Sequence, residues 1–348
     1  MTASSQRRTP WRSSEGSSTP GNAAGGGNPP LQGSIAVRNR MDTPAAAILK
    51  TLLRVNRHGW AKGSVGEQRR RQERRARLIP VDRSVGVDPF LIGALNAAWI
   101  AAPGTNSGTH RNAPVVLYLH GGAYALGSIL THRAFLGRFA TATRTRVLAI
   151  EYRRAPEHPF PAALEDAVAA YRWLISTGVG PTEIVIAGDS AGGGLALATI
   201  LLLRDAGEAL PACAVCLSPW LDLTLSCRSI DSNAKKDPIL SRKVLERYAG
   251  MHVGACDLND PLVSPFFADL SGFPPILIHI GSDEILLDEA AAVSNAARAA
   301  GVECEFEVWP GMFHVFQMFP LLRQSGAGLD KAARFIASHT RDRPDSRH

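Results

Sequence analysis

The 348-residue sequence predicts an α/β fold built on an open, mostly parallel, doubly wound sheet. Three observations predict it. Short apolar runs alternate with helical stretches through most of the chain. The central runs are continuously apolar, as strands buried on both faces require. Composition is that of a globular protein, 45% hydrophobic and 20% charged, which suffices for one large core.

Residues 1–40 are rich in Ser, Gly, Pro, Thr and Asn without hydrophobic periodicity, so a disordered N-terminal tail is expected there. The tail has no apolar core of a secretory signal, and no run approaches the roughly 18 apolar residues of a membrane span. A cytoplasmic protein without stable membrane insertion is expected. The formal charge of +7 is unevenly placed. Up to Leu78 there are 15 Lys/Arg against 4 Asp/Glu; from Ile79 onward there are 23 against 27. The basic surplus therefore belongs to the N-terminal extension.

Residues 41–78 show a helical pattern, with Ala45, Ile48, Leu49, Leu52 and Leu53 at spacings of 3 and 4. Its second half, 69–77, is an arginine-rich run that reads as a solvated helix face. No aromatic residues interleave with these arginines to stack bases, so no nucleic-acid partner is expected. Strands are predicted at 95–100, 115–119, 147–150, 184–187, 212–217, 276–280 and 303–308. Helices are predicted at 133–143, 162–175, 191–206, 286–300 and 327–338. In such sheets the reacting groups lie just beyond the carboxyl ends of strands. Five cysteines make no disulfide framework. Cys213 and Cys216 lie three apart in one strand, so their thiols face opposite ways and do not converge on a metal.

The run Gly188-Asp189-Ser190-Ala191-Gly192 follows one predicted strand and opens a helix. A serine on so tight a turn needs small residues two before and two after it, and Gly188 and Gly192 meet that need. Ser190 is the candidate nucleophile, with the Ala191 amide at a helix N-terminus as an oxyanion donor. Asp189 is read as structural. His120-Gly121-Gly122-Ala123 follows the strand 115–119, and the Gly121 and Gly122 amides are expected to complete the oxyanion hole. His120 is read as a prop for that loop. Of ten histidines, His279 sits inside an apolar strand and reads as a satisfied core residue. His314 follows the last strand and is the candidate general base. An acid is expected after the strand 276–280, where Asp283 and Glu284 stand side by side; physical reasoning alone leaves both open.

The motifs His-Gly-Gly-Ala-Tyr (120–124), Tyr-Arg-Arg-Ala-Pro-Glu-His-Pro-Phe-Pro-Ala-Ala-Leu-Glu-Asp (152–166), Gly-Asp-Ser-Ala-Gly-Gly (188–193) and Gly-Met-Phe-His (311–314) together resemble the hormone-sensitive-lipase-like family of α/β-hydrolases. The likeness runs from about Leu95 to Phe335 and is most marked for bacterial ε-lactone and acetyl hydrolases. It implies an α/β-hydrolase fold with a helical cap, made of the segment 41–78 and an insertion at about 224–256 in a catalytic domain spanning 79–340, followed by a tail at 341–348. It implies a carboxylesterase acting on short-to-medium acyl esters or lactones through an acyl-enzyme. It also implies that the run 152–166 buttresses the oxyanion loop. Aligning the family's Asp-Glu on Asp288-Glu289 puts the triad acid at Glu284, with Asp283 as the alternative. Ile285, Ala123 and Arg154 depart from the family pattern. No metal or organic cofactor is implied, and a homodimer through the edge strand 303–308 is suggested. An amidase or deacetylase on the same triad, or a non-catalytic binding member of the fold, are the rival readings; the presence of His314 argues against the second.

Overall fold

The computed structural model describes residues 44–57, 59, 62–102 and 113–340. The tails expected at 1–40 and 341–348 lie outside the described residues. Two helices open the chain, α1 Pro44–Asn56 and α2 Val65–Arg77. Ser64 starts α2 with a capping box, accepting from the Glu67 amide while the Glu67 carboxylate takes the Ser64 amide. The expected helical stretch consists of these two helices.

The sheet has eight strands: β1 Gly86–Ile92, β2 Leu95–Ala101, β3 Val115–Leu119, β4 Arg146–Ile150, β5 Ile184–Asp189, β6 Cys213–Leu217, β7 Ile276–Gly281 and β8 Cys304–Trp309. Their order is β1-β2-β4-β3-β5-β6-β7-β8. β2 runs antiparallel to both its neighbours and every other pairing is parallel. β1 has no counterpart among the predicted strands. It is a mostly exposed edge strand containing Pro89, so the apolar alternation that marks a strand is absent.

Helices α3 Ile129–Thr143, α4 Ala162–Ser176, α5 Ala191–Asp205, α6 Ser229–Ser232, α7 Arg242–Val253, α8 Leu287–Ala299 and α9 Arg323–His339 complete the order. Residues of α4, α5 and α8 pack on one face of the sheet and those of α3 and α9 on the other. β3, β5, β6 and β7 are buried along their whole length, which explains their unbroken apolar sequence. Cys216 joins the first core and Cys213 the second, so the two thiols do face opposite ways. Burial pushes the Cys213 thiol up to about 12, which leaves it uncharged at neutral pH.

The N-terminal helices and residues 224–256 are joined to each other. Arg54 donates to the Lys236 carbonyl at 3.2 Å and Arg57 to the Ala234 carbonyl at 2.9 Å. Arg247 donates to the Gly63 carbonyl at 2.6 Å, and the Tyr248 hydroxyl donates to Gln68 on α2. Among the described residues no helix is long and apolar enough to cross a membrane.

Candidate active site

Ser190 stands between β5 and α5 with φ 53° and ψ −124°, a backbone conformation rare for a residue with a side chain. The turn closes because its neighbours lack Cβ atoms. A Cβ on Gly188 would lie 2.2 Å from the Gly192 carbonyl oxygen, and one on Gly192 would lie 1.9 Å from that of Leu119. The Ser190 amide donates to the Leu217 carbonyl at 2.9 Å, and the Trp220 amide donates to the Ser190 carbonyl at 2.9 Å. The elbow is therefore tied to the strand beside it.

His314, in the loop after β8, meets Ser190: its Nε2 lies 2.9 Å from the Ser190 Oγ. Its Nδ1 lies 2.9 Å from Glu284 Oε2. The other carboxylate oxygen of Glu284 accepts from the Ser218 hydroxyl at 2.7 Å and from the Gly281 amide at 2.5 Å. Glu284 is fully buried, while Ser190 and His314 keep 9% and 6% exposure. Burial works to lower the His314 pKa, but the hydrogen bond and charge of Glu284 outweigh it and raise the imidazole above its ordinary 6.5. Asp283 turns elsewhere and pairs with Lys50 of α1 at 2.9 Å.

The acid turn is held from several sides by residues that the sequence reading did not single out. Ser218, just past the carboxyl end of β6, donates to Glu284 and accepts from the Val315 amide at 3.0 Å, so it braces acid and histidine loops together. Its place beyond a strand end was the one available signal. Asn233 donates to the Glu284 carbonyl at 2.8 Å, and Asp237 accepts from the Ile285 amide at 3.1 Å. These two come from the segment 224–256, about fifty residues away, and no local pattern marks them.

In the oxyanion loop one expectation is corrected. The Gly121 amide donates to Asp189 Oδ1 at 3.0 Å, so it is not free for an oxyanion. Asp189 also accepts from the Tyr118 hydroxyl at 2.9 Å and lies 3.4 Å from His132 Nε2. No described group accepts from the Gly122, Ala123 or Ala191 amides. Gly122 and Ala123 adopt φ of 123° and 52°, and a Cβ on Gly122 would strike Leu126 at 2.4 Å. His120 does prop the loop: its Nδ1 lies 2.8 Å from the Gly121 carbonyl oxygen and its ring stacks on Tyr152 at 4.3 Å. Burial lowers its pKa to about 3, which keeps it neutral. The run 152–166 contributes as expected, with the Tyr152 hydroxyl donating to the His120 carbonyl at 2.7 Å and the Ala155 amide to that of Tyr124 at 2.9 Å.

Two further expectations change. His279 is a core residue but not a satisfied one: neither ring nitrogen has a hydrogen-bond partner among the described residues. The arginine run of α2 is not wholly a solvated face, because Arg69 turns inward onto the oxyanion loop. Among the described residues no cluster of three or more His, Cys, Asp or Glu is arranged to hold a metal.

Comparison with known proteins adds independent findings. The family profile described as the alpha/beta hydrolase fold matches residues 116–318. An acetyl-hydrolase of Streptomyces hygroscopicus is 40% identical over 304 residues, spanning 86% of this chain and 98% of its own. An esterase of Acinetobacter venetianus is 38% identical over 246 residues, 70% of this chain and 78% of its own. The crystal structure of an esterase from the bacterial hormone-sensitive lipase family superposes with a TM-score of 0.81 at 40% identity, over 86% of this chain and 99% of that one.

Proposed function

The chain belongs to the α/β-hydrolase family, among the esterases related to hormone-sensitive lipase, and from that premise we propose that it hydrolyses short-to-medium acyl esters or lactones through Ser190, His314 and Glu284. One observation carries the reading: the unbroken chain from the Ser190 Oγ through both ring nitrogens of His314 to Glu284, each link 2.9 Å. In the proposed reaction Ser190 Oγ attacks the acyl carbon and passes its proton to His314 Nε2. Glu284 stabilises the imidazolium. The oxyanion is received by the amides of Gly122, Ala123 and Ala191, Gly121 being engaged by Asp189. Collapse breaks the ester C–O bond, and His314 gives the proton to the leaving alkoxide, which departs as alcohol. Water then attacks the acyl-enzyme, one proton passing to His314 and on to Ser190 Oγ, and the carboxylic acid leaves.

The helices at 41–78 and the insertion at 224–256 serve, in this reading, as the cap over a pocket for dissolved cytoplasmic esters. The edge position of β8, where Val308 is 41% exposed, supports a homodimer through that strand. The test is a p-nitrophenyl ester series from acetate to palmitate beside an anilide. Turnover highest on the shorter esters, with an initial burst of p-nitrophenol and loss of at least about 10⁴-fold in Ser190→Ala, is the expected result. Undiminished ester turnover in Ser190→Ala would overturn the assignment.

A further inference from the structure

We propose that Arg69 is a positioning residue for the oxyanion donors, and that through it α2 is coupled to the catalytic loop. The proposal rests on the reading of Ser190 as nucleophile and of the loop 120–127 as its oxyanion loop. Arg69 begins an arginine-rich run whose Arg70, Arg71, Arg74 and Arg75 are exposed, yet its own side chain keeps only 18% exposure. Its Nε donates to the Ala125 carbonyl at 2.7 Å and its Nη2 to the Ala155 carbonyl at 2.7 Å. A two-pronged bond to Glu157, at 2.9 and 2.8 Å, sets the plane of the guanidinium and holds the Glu157 carboxyl below the usual carboxylate range. One turn further along α2, Gln72 accepts from the Gly127 amide at 3.4 Å.

The bond to Ala125 reaches the donors through two rigid peptide planes. The Ala125 carbonyl and the Leu126 amide belong to one peptide unit. That Leu126 amide donates to the Gly122 carbonyl at 2.7 Å. The Gly122 carbonyl and the Ala123 amide again belong to one peptide unit. Fixing Ala125 therefore fixes Leu126, which fixes the plane that aims the Ala123 N–H at the oxyanion. The Ala155 bond works from the other side, because the Ala155 amide holds the Tyr124 carbonyl at 2.9 Å. Electrostatic stabilisation of this kind depends on donors being oriented before charge develops. Removing a whole oxyanion donor lowers kcat by about 10²–10³, so loosening one through its support is expected to cost about tenfold.

The test compares the full-length enzyme with Arg69→Lys, Arg69→Met and Glu157→Gln. Arg75→Ala, on the exposed side of α2, is the control. Turnover is measured per competent site, counted with a fluorophosphonate, so that a misfolded fraction does not enter kcat. The expected result for the Arg69 variants is a kcat lower by about tenfold with KM within about twofold. Binding of phenylboronic acid, whose tetrahedral adduct uses the oxyanion donors, should weaken by a similar factor. The acid limb of the pH–rate profile should stay in place, since His314 and Glu284 are untouched. Lysine, which cannot make the planar set of bonds, should not rescue. Glu157→Gln, which keeps Arg69 and so preserves folding, should show a smaller loss of the same kind. Arg69 variants with wild-type kcat, or with KM raised and kcat unchanged, would overturn the coupling. A wild-type enzyme without ester turnover would instead defeat the underlying esterase reading.

Discussion

A carboxylate helps an imidazole only if it reaches the ring nitrogen that does not face the substrate, and adjacent residues on a turn cannot both do so. Glu284 meets His314 Nδ1 at 2.9 Å, whereas Asp283 meets Lys50. Glu284→Gln is therefore expected to lower kcat by about 10³–10⁴, as loss of a triad acid does elsewhere, while Asp283→Asn stays within a few-fold. The pH profile gives a second reading of the same contact. His314 works as a base when neutral, and its pKa is raised by Glu284, so the acid limb of kcat/KM should lie above pH 6.5. Removing the carboxylate's charge should move that limb down in Glu284→Gln and leave it in Asp283→Asn; an unmoved limb in Glu284→Gln would contradict the assignment. Much of this site was legible in sequence because Ser190, His314 and the Gly121–Gly122 pair sit beside strand ends that fix their surroundings. The Gly121 amide was misread for a physical reason. A glycine pair tells that a backbone comes close to something, but not whether the partner is the oxyanion or, as here, the Asp189 carboxylate.

At the scale of the element, the β5–α5 elbow is a packing problem before it is a catalytic one. The first turn of α5 presses against the end of β3 so closely that Gly192 has no room for a methyl group, which would sit 1.9 Å from the Leu119 carbonyl oxygen. Backbone atoms cannot rotate out of the way as a long side chain can. Gly192→Ala is expected to destabilise by at least about 3 kcal/mol, in the range of severe core substitutions. A Cβ on Gly178, at φ 89°, would meet nothing within 4 Å, which separates strain from collision: Gly178→Ala should cost about 1 kcal/mol. Urea unfolding followed by tryptophan fluorescence measures both, and equal losses would show that the elbow is looser than its contacts indicate. The same contrast explains which elements the sequence revealed. β3, β5, β6 and β7 are buried on both faces and read as unbroken apolar runs. β1 and α7 escaped for different reasons: β1 is a mostly exposed edge strand ordered by pairing with its sequence neighbour β2, and α7 draws its order from contacts with α2, far away along the chain.

Over the whole molecule, stability carries a charge problem that the active site does not. His120, His252 and His279 are buried, and burial lowers each of them to about 3. Each stays neutral in the folded chain at neutral pH and takes up a proton on unfolding once the pH is below about 6.5. Because the unfolded state then binds more protons, each lowers stability as pH falls from about 6.5 to about 3. His132 and His314, with raised values, hold their protons below pH 6.5 and add no slope there. The buried carboxyls of Glu289 and Asp237 and the half-buried one of Glu151 are raised by burial and act in the opposite direction, keeping protons that the unfolded chain loses. The total curve therefore mixes signs, and only a difference between two proteins isolates one group. His279 suits that comparison, since it is fully buried, touches Trp309 edge-on at 5.5 Å and leaves both nitrogens without partners among the described residues. His279→Leu removes a titrating group and two unpaired polar atoms at similar volume, so at pH 7.5 it should be at least as stable as the native chain. As pH falls below 6.5 its advantage should widen by about 1.4 kcal/mol per pH unit, one proton's worth of linkage. Urea unfolding of both proteins from pH 7.5 to 4.5 reads this directly, and a difference independent of pH would mean that His279 already carries its proton in the fold.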